Sequence, residues 1–97
     1  MLRKLNILIT CSSGKFTYDV VNALRFIRGF NTNIFGVDVN PKPNMFFIDK
    51  QYKIPESKKK SQYFKKLFLI CKKEKINIVF PLSENETILF SKNTSIS

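Results

Sequence analysis

Between Leu5 and Arg28, in LNILITCSSGKFTYDVVNALRFIR, the apolar residues change period. Leu5 to Thr10 is an unbroken apolar run bounded by polar residues, the pattern of a strand buried on both faces. Cys11 to Lys15 is a small polar turn with one glycine. From Phe16 the spacing becomes helical, with Phe16, Val20, Ala23, Leu24 and Ile27 on one side. Thr17 is placed to cap this helix, and Asp19 lies in the first turn, where the helix dipole favours an acid. Arg25 and Arg28 fall in its last turn, and Gly29 can close it. A both-faces-buried strand feeding an amphipathic helix is the opening half of a βαβ unit, which restricts the chain to α/β folds.

The remaining segments extend this alternation. Asn33 to Asn40 reads as a second strand ending in an acid and an amide, and Pro41 and Pro43 then force a loop. Asn44 to Lys50 suits a short helical turn, and Gln51 to Pro55 alternates like an edge or near-edge strand. After the charged loop Glu56 to Lys60, Ser61 is placed to cap a helix reaching about Lys75, with Phe64, Leu67, Phe68 and Cys71 inward. Lys65, Lys66, Lys72 and Lys73 lie off that stripe, as a solvated face does. Ile76 to Leu82 is a second continuous apolar run and the fourth strand, with Pro81 at its exit. Ser83 to Glu86 matches the S-x-x-E capping box, so a last helix is expected there, and the polar tail SKNTSIS is expected to fray.

Such an order calls for one small Rossmann-like open parallel sheet of about four strands, order 3-2-1-4, with helices on both faces. Its 97 residues suit a single domain spanning 1–97. With the first strand central, the topological switch lies between strands one and four. The loops Cys11 to Lys15 and Ser83 to Asn85 then border one crevice, where a ligand is expected.

Charge and composition narrow the function less. A net charge of +10 admits an anionic partner, but the cations are nearly all lysine and no nucleic-acid recognition motif accompanies them. A coding bias toward Lys, Asn, Ile and Phe accounts for the charge more simply, so nucleic-acid binding is the weaker reading. Cys11 and Cys71 have no metal-ligand spacing and no histidine beside them, so reduced thiols are expected. The N-terminal apolar run is too short for a signal peptide or a membrane span, which points to a soluble, cytoplasmic protein.

The turn TCSSGK before a helix can hold an anion on backbone N–H groups, yet it matches neither phosphate motif. A dinucleotide fingerprint needs three glycines where only Gly14 stands, and in a P-loop Lys15 would precede Ser or Thr rather than Phe16. Asp38 stands where a classical fold places a ribose-binding acid, or it caps the loop of Pro41 and Pro43. Ser83 and Glu86 are accounted for by the capping box, which leaves Glu84 as the functional candidate of that loop. With no histidine, no nucleophile–base pair and no carboxylate cluster, catalytic residues are not indicated.

Three stretches, LNILITCSSGKFTYDVVNALR, FGVDVNPKPNMFFIDKQYKIP and ICKKEKINIVFPLSENETILFSKN, together resemble the N-terminal, pre-ATP-grasp domain of ATP-grasp proteins, carbamoyl-phosphate-synthase large-subunit-like in flavour. The phrases carrying the resemblance are G-V-D-x-N-P at Gly36 to Pro41, D-K-x-Y-x-x-P at Asp49 to Pro55, and P-L-S-E at Pro81 to Glu84. The resemblance runs in order from about Leu5 to Asn93. It implies ATP-dependent ligases that activate a carboxylate as an acyl phosphate and pass it to an amine. It further implies that this chain is an N-terminal, substrate-binding fragment, inactive alone, with ATP and Mg held by ATP-grasp domains absent from it. The partners implied are a small-molecule carboxylate, those ATP-grasp domains, and a second copy if the domain dimerises. Carried over as cleft-lining positions are Ser12, Ser13, Gly14, Asp38, Ser83 and Glu84. The rival reading is a free-standing Rossmann-like module binding a small anion or nucleotide at the first turn.

Overall fold

The computed structural model describes residues 3–10, 12, 17–42 and 47–82. In chain order these form β1 (Arg3–Thr10), α1 (Thr17–Leu24), β2 (Phe30–Asp38), β3 (Lys50–Lys53), α2 (Lys60–Glu74) and β4 (Ile78–Phe80). The strands make one sheet in the order β3-β2-β1-β4, every adjacent pair parallel. This is the expected small Rossmann-like α/β fold with β1 central.

Strand parity divides the core in two. Ile7 and Ile9 of β1 and Ile34 of β2 face α1, where Val21 and Ile48 complete a buried cluster. Leu8 and Val37 point the other way, into Tyr63, Phe64, Leu67 and Ile70 of α2 with Ile54. Ile7, Leu8 and Ile9 are fully buried because β1 is covered on both faces. Each such side chain contributes about 1.5–3 kcal/mol of transfer free energy, an upper figure because the unfolded chain already buries some surface.

Both helices depart from their expected limits. α1 ends at Leu24 rather than near Arg28. Beyond it the bonding changes from a four-residue span, Arg25 N–H to Val21 O (3.0 Å), to a three-residue span, Phe26 N–H to Ala23 O (3.2 Å), a tightened last turn. Gly29 follows at φ +84°, the left-handed conformation that releases the chain into β2. The inward stripe of α1 is also rotated. Thr17 and Val21 are buried and Leu24 packs behind them, at i, i+4 and i+7, whereas Ala23 is exposed.

α2 begins at Lys60, and Lys59 at its N-cap makes no side-chain capping bond, so Ser61 is not the cap. Its buried stripe is Tyr63, Phe64, Leu67 and Ile70. Phe68, expected inward, is 43% exposed and lies instead against the ring of Phe64, centroids 5.7 Å apart.

The C-terminus of α2 is held by a row of asparagines, Asn33 on β2, Asn6 on β1 and Asn77 just before β4. Asn6 Nδ2 donates to the carbonyls of Glu74 (3.0 Å) and Lys75 (3.1 Å), two acceptors with no partner inside the helix. Asn33 Nδ2 donates to Asn6 Oδ1 at 3.0 Å, and Asn77 Oδ1 accepts from the Asn6 N–H at 2.8 Å. Lys75 meanwhile takes φ 53°, turning the chain into β4. β4 itself is three residues, shorter than the Ile76 to Leu82 run, because Ile76 packs on the α2 cluster before the strand begins.

The expected helical turn over Asn44 to Lys50 lies partly outside the described residues, and the helix expected from Ser83 wholly so. Among the described residues no helix is long and apolar enough to cross a membrane.

Candidate functional site

The order β3-β2-β1-β4 puts the switch point at the C-terminal ends of β1 and β4. There Thr10, fully buried, accepts a hydrogen bond at Oγ1 from the Leu82 N–H (3.1 Å). This bond ties the chain leaving β4 to the end of β1. The bases of the two loops expected to border the crevice are therefore joined. Ser13, Gly14, Ser83 and Glu84 lie outside the described residues.

Ser12 is fully buried. Its N–H donates to the Val37 carbonyl at 3.1 Å, continuing the β1–β2 ladder by one step. Its hydroxyl donates to Oε1 of Gln51 at 3.1 Å, and Gln51 Nε2 donates in turn to the Lys42 carbonyl at 2.7 Å. Gly36 makes room for this arrangement. A Cβ on Gly36 would stand 2.6 Å from Ser12 Cβ and 2.9 Å from Ser12 Oγ. Ser12 thus anchors the base of the first loop.

Asp38 closes β2 at the same edge. Its Oδ1 accepts from the Asn40 N–H (3.1 Å), an Asx turn that starts the loop toward Pro41. Its carbonyl accepts from the Ile54 N–H (3.0 Å), which holds the exit of β3 alongside. Asp38 ends β2 and Ser12, just past the end of β1, is bonded to the neighbouring Val37, so the fold brings together two of the sequence-selected positions.

The phrase Asp49 to Pro55 has a structural explanation at nearly every position. Asp49 Oδ2 accepts from the Ile34 N–H at 2.7 Å and pairs with Arg25 Nη1 at 3.1 Å. The Arg25 fork also donates to the carbonyls of Thr32 (3.1 Å) and Phe47 (2.8 Å), clamping the end of α1 onto β2 and the approach to β3. Tyr52 donates its hydroxyl to Glu74 Oε2, and Lys50 Nζ lies 3.3 Å from the same oxygen. Lys50 and Lys73 flank the Tyr52 ring at 5.2 and 5.7 Å from its centroid.

This Lys50–Tyr52–Glu74 group is where charge is most perturbed. The Tyr52 hydrogen bond above all, helped by Lys50, holds the Glu74 carboxyl below its ordinary value against the opposing effect of burial. Tyr52 first, and Glu74 second, hold the Lys50 ammonium above its own. Burial alone raises the Cys71 thiol. Tyr52, the register partner of Val37, stands next to the Gln51 that meets Ser12. The group joins β3 to the C-terminal end of α2. It fastens α2 to the edge strand.

Read along the sequence, Thr10, Gly36, Gln51 and Arg25 received no role at the site. Gly36 could have been found, since a glycine inside a strand run signals a close approach. The other three act through partners remote in sequence. Among the described residues no group of three or more metal-ligating side chains converges. The described polar side chains of this edge, Thr10, Ser12, Asp38 and Gln51, are bonded within the fold.

The family model for the PylC-like N-terminal domain matches residues 7–96, nearly the whole chain and all of the edge just described. No curated protein matches the chain.

Proposed function

This chain belongs to the PylC-like N-terminal domain family, an ATP-grasp-associated family, and on that premise we propose that it is the substrate-side domain of an ATP-dependent carboxylate–amine ligase. In this reading the domain is inactive alone and lends one wall to a cleft that ATP-grasp domains complete. Those domains hold ATP and Mg and form the acyl phosphate, while this one receives the small-molecule carboxylate substrate. The carbamoyl-phosphate-synthase-like flavour of the three phrases is carried into the reading as part of the proposal, and so is a cytoplasmic setting.

The observation that carries the proposal is the family match over residues 7–96, which includes the joined ends of β1 and β4 at the switch point. Ser12 anchors the first loop at its base and Asp38 closes β2 beside it. Ser13, Gly14, Ser83 and Glu84, which lie outside the described residues, are proposed with them as cleft-lining positions. No nucleophile–base pair is needed of a wall, and none is assigned to it.

The test is direct. The purified chain is assayed for ATP hydrolysis with Mg, with and without a panel of the twenty common amino acids. No carboxylate-dependent hydrolysis is expected, and its appearance would refute inactivity. Amide shifts are followed in parallel during titration with ADP and inorganic phosphate. Saturable, tight shifts at Ser13 and Gly14 in the chain alone would favour the free-standing anion-binding module instead.

A further inference from the structure

Gln51 occupies the unspecified position of the D-K-x-Y phrase, on β3, the edge strand of the sheet. A glutamine on an edge strand ordinarily reaches into water. Here it is half-buried, and both ends of its amide are used by segments far apart in sequence. Oε1 accepts from Ser12 Oγ, 39 positions away, and Nε2 donates to the Lys42 carbonyl. Ser12 opens the loop after β1, and Lys42 belongs to the loop after β2.

The polarity of this bridge is determined. The Lys42 carbonyl can only accept, so Nε2 must face it and Oε1 must face Ser12, which makes the Ser12 hydroxyl the donor. Gly36, the register partner of Gln51 on β2, leaves the space in which Ser12 sits. The loop after β1 thus interlocks with β2 and β3 through the side chains of Ser12 and Gln51 and the missing side chain of Gly36.

We propose that Gln51 is a positioning residue: it latches Ser12, at the start of the loop after β1, to Lys42, in the loop after β2, so that these two points at the edge of the sheet move as one body. The functional consequence rests on the ligase reading above. The latch itself is tested without any ligand, so either can fail without the other.

Gln51→Glu is the diagnostic variant. When its carboxyl is protonated, it retains an acceptor for the Ser12 hydroxyl and an O–H donor for the Lys42 carbonyl. When ionised it has no donor, and an oxygen confronts the Lys42 carbonyl. The neighbouring charges that act on the introduced carboxyl are Lys50 and Lys53 on β3 and Asp38 opposite Lys53 on β2, together with the Lys42 ammonium. They shift where it titrates but not what it touches. The 15N–1H resonances of Ser12 and Lys42 are followed from about pH 3 to 8, spanning the ordinary carboxyl range. They are expected to titrate together with one midpoint, and to stay flat or follow separate midpoints in the wild-type chain and in Lys53→Glu. In Gln51→Leu, exchange of the Ser12 amide is expected to rise by about tenfold relative to Ile9, the size of one lost hydrogen bond. Separate midpoints in Gln51→Glu, a silent Lys42, or unchanged Ser12 exchange in Gln51→Leu would each overturn the latch. If Gln51→Leu fails to fold, the Gln51→Glu titration decides alone, since its protonated form retains both contacts.

Discussion

Replacing Gly36 with alanine tests the packing of the candidate edge at its tightest point. The added methyl group would lie 2.6 Å from Ser12 Cβ, 2.9 Å from Ser12 Oγ and 3.3 Å from Ile48 Cγ2. Ser12 cannot swing away like a long side chain, because the nearest atom is its Cβ and its N–H is bonded to Val37. The backbone after β1 must therefore move, an overpacking cost of about 1–3 kcal/mol. Displacing the Ser12 hydroxyl from Gln51 adds about 1 kcal/mol. Gly36 does not have positive φ, so alanine suits its backbone and recovers about 0.4–1 kcal/mol through the unfolded chain. The net expectation is a loss of about 1–3 kcal/mol. At about 4–8 °C per kcal/mol for a domain of this size, Tm falls by roughly 5–20 °C. Urea unfolding followed by circular dichroism should show a lower midpoint at unchanged slope. Adding Ser12→Gly to Gly36→Ala restores the space, so the pair should show a favourable coupling of about 1 kcal/mol or more. Wild-type stability in Gly36→Ala, or no coupling with Ser12→Gly, would refute this account of the edge.

Substitutions at two further residues probe other fastenings of the fold. Arg25→Ala removes two bonds to backbone carbonyls and an ion pair, so urea unfolding should show a loss of about 1.5–3 kcal/mol. Most of that loss should persist at 1 M salt, because carbonyl bonds are not screened as exposed ion pairs are, and Arg25→Lys should recover only a part of it for want of the fork. The Glu74 carboxyl, held low in the fold by Tyr52 and Lys50, adds stability above the unfolded carboxyl value of about 4.3 that is lost as pH falls through the lower folded value. Thermal melts between about pH 6 and 3 should therefore be less pH-dependent in Tyr52→Phe than in the wild type. An equal slope in both would show that the hydroxyl does not hold Glu74.

What could be read along the chain was what depends on local pattern. Ile7 to Ile9 are unbroken and apolar, and such a run is stable only where both faces are covered, which makes β1 central. The alternation of runs and helical stripes then leaves few parallel arrangements, and 3-2-1-4 is the one found. Capping signals served less well. Ser61 has the right chemistry for a cap, but the turn Glu56–Lys59 already sets the direction of entry and places Ser61 inside the first turn. Phe68 has the right hydrophobicity to be core, but Tyr63 and Ile70 lie closer to the centre of the stripe that meets Leu8 and Val37.

The candidate edge divides in the same way. Its place in the fold followed from topology, and two of its positions, Ser12 and Asp38, were named from the sequence. Their actual roles depend on partners distant along the chain: Ser12 on Gln51, Thr10 on Leu82, Arg25 on Phe47 and Thr32. A polar side chain carries no sign of which distant group it will meet, because that is settled by strand register and by how closely two backbones approach. The sequence alone therefore determined the class of fold, the order of its strands and the edge at which to look. Only the tertiary structure decided that Ser12 turns inward, that Gly36 must lack a side chain and that Gln51 joins two loops, because each of those facts is a distance between residues that the chain itself holds far apart.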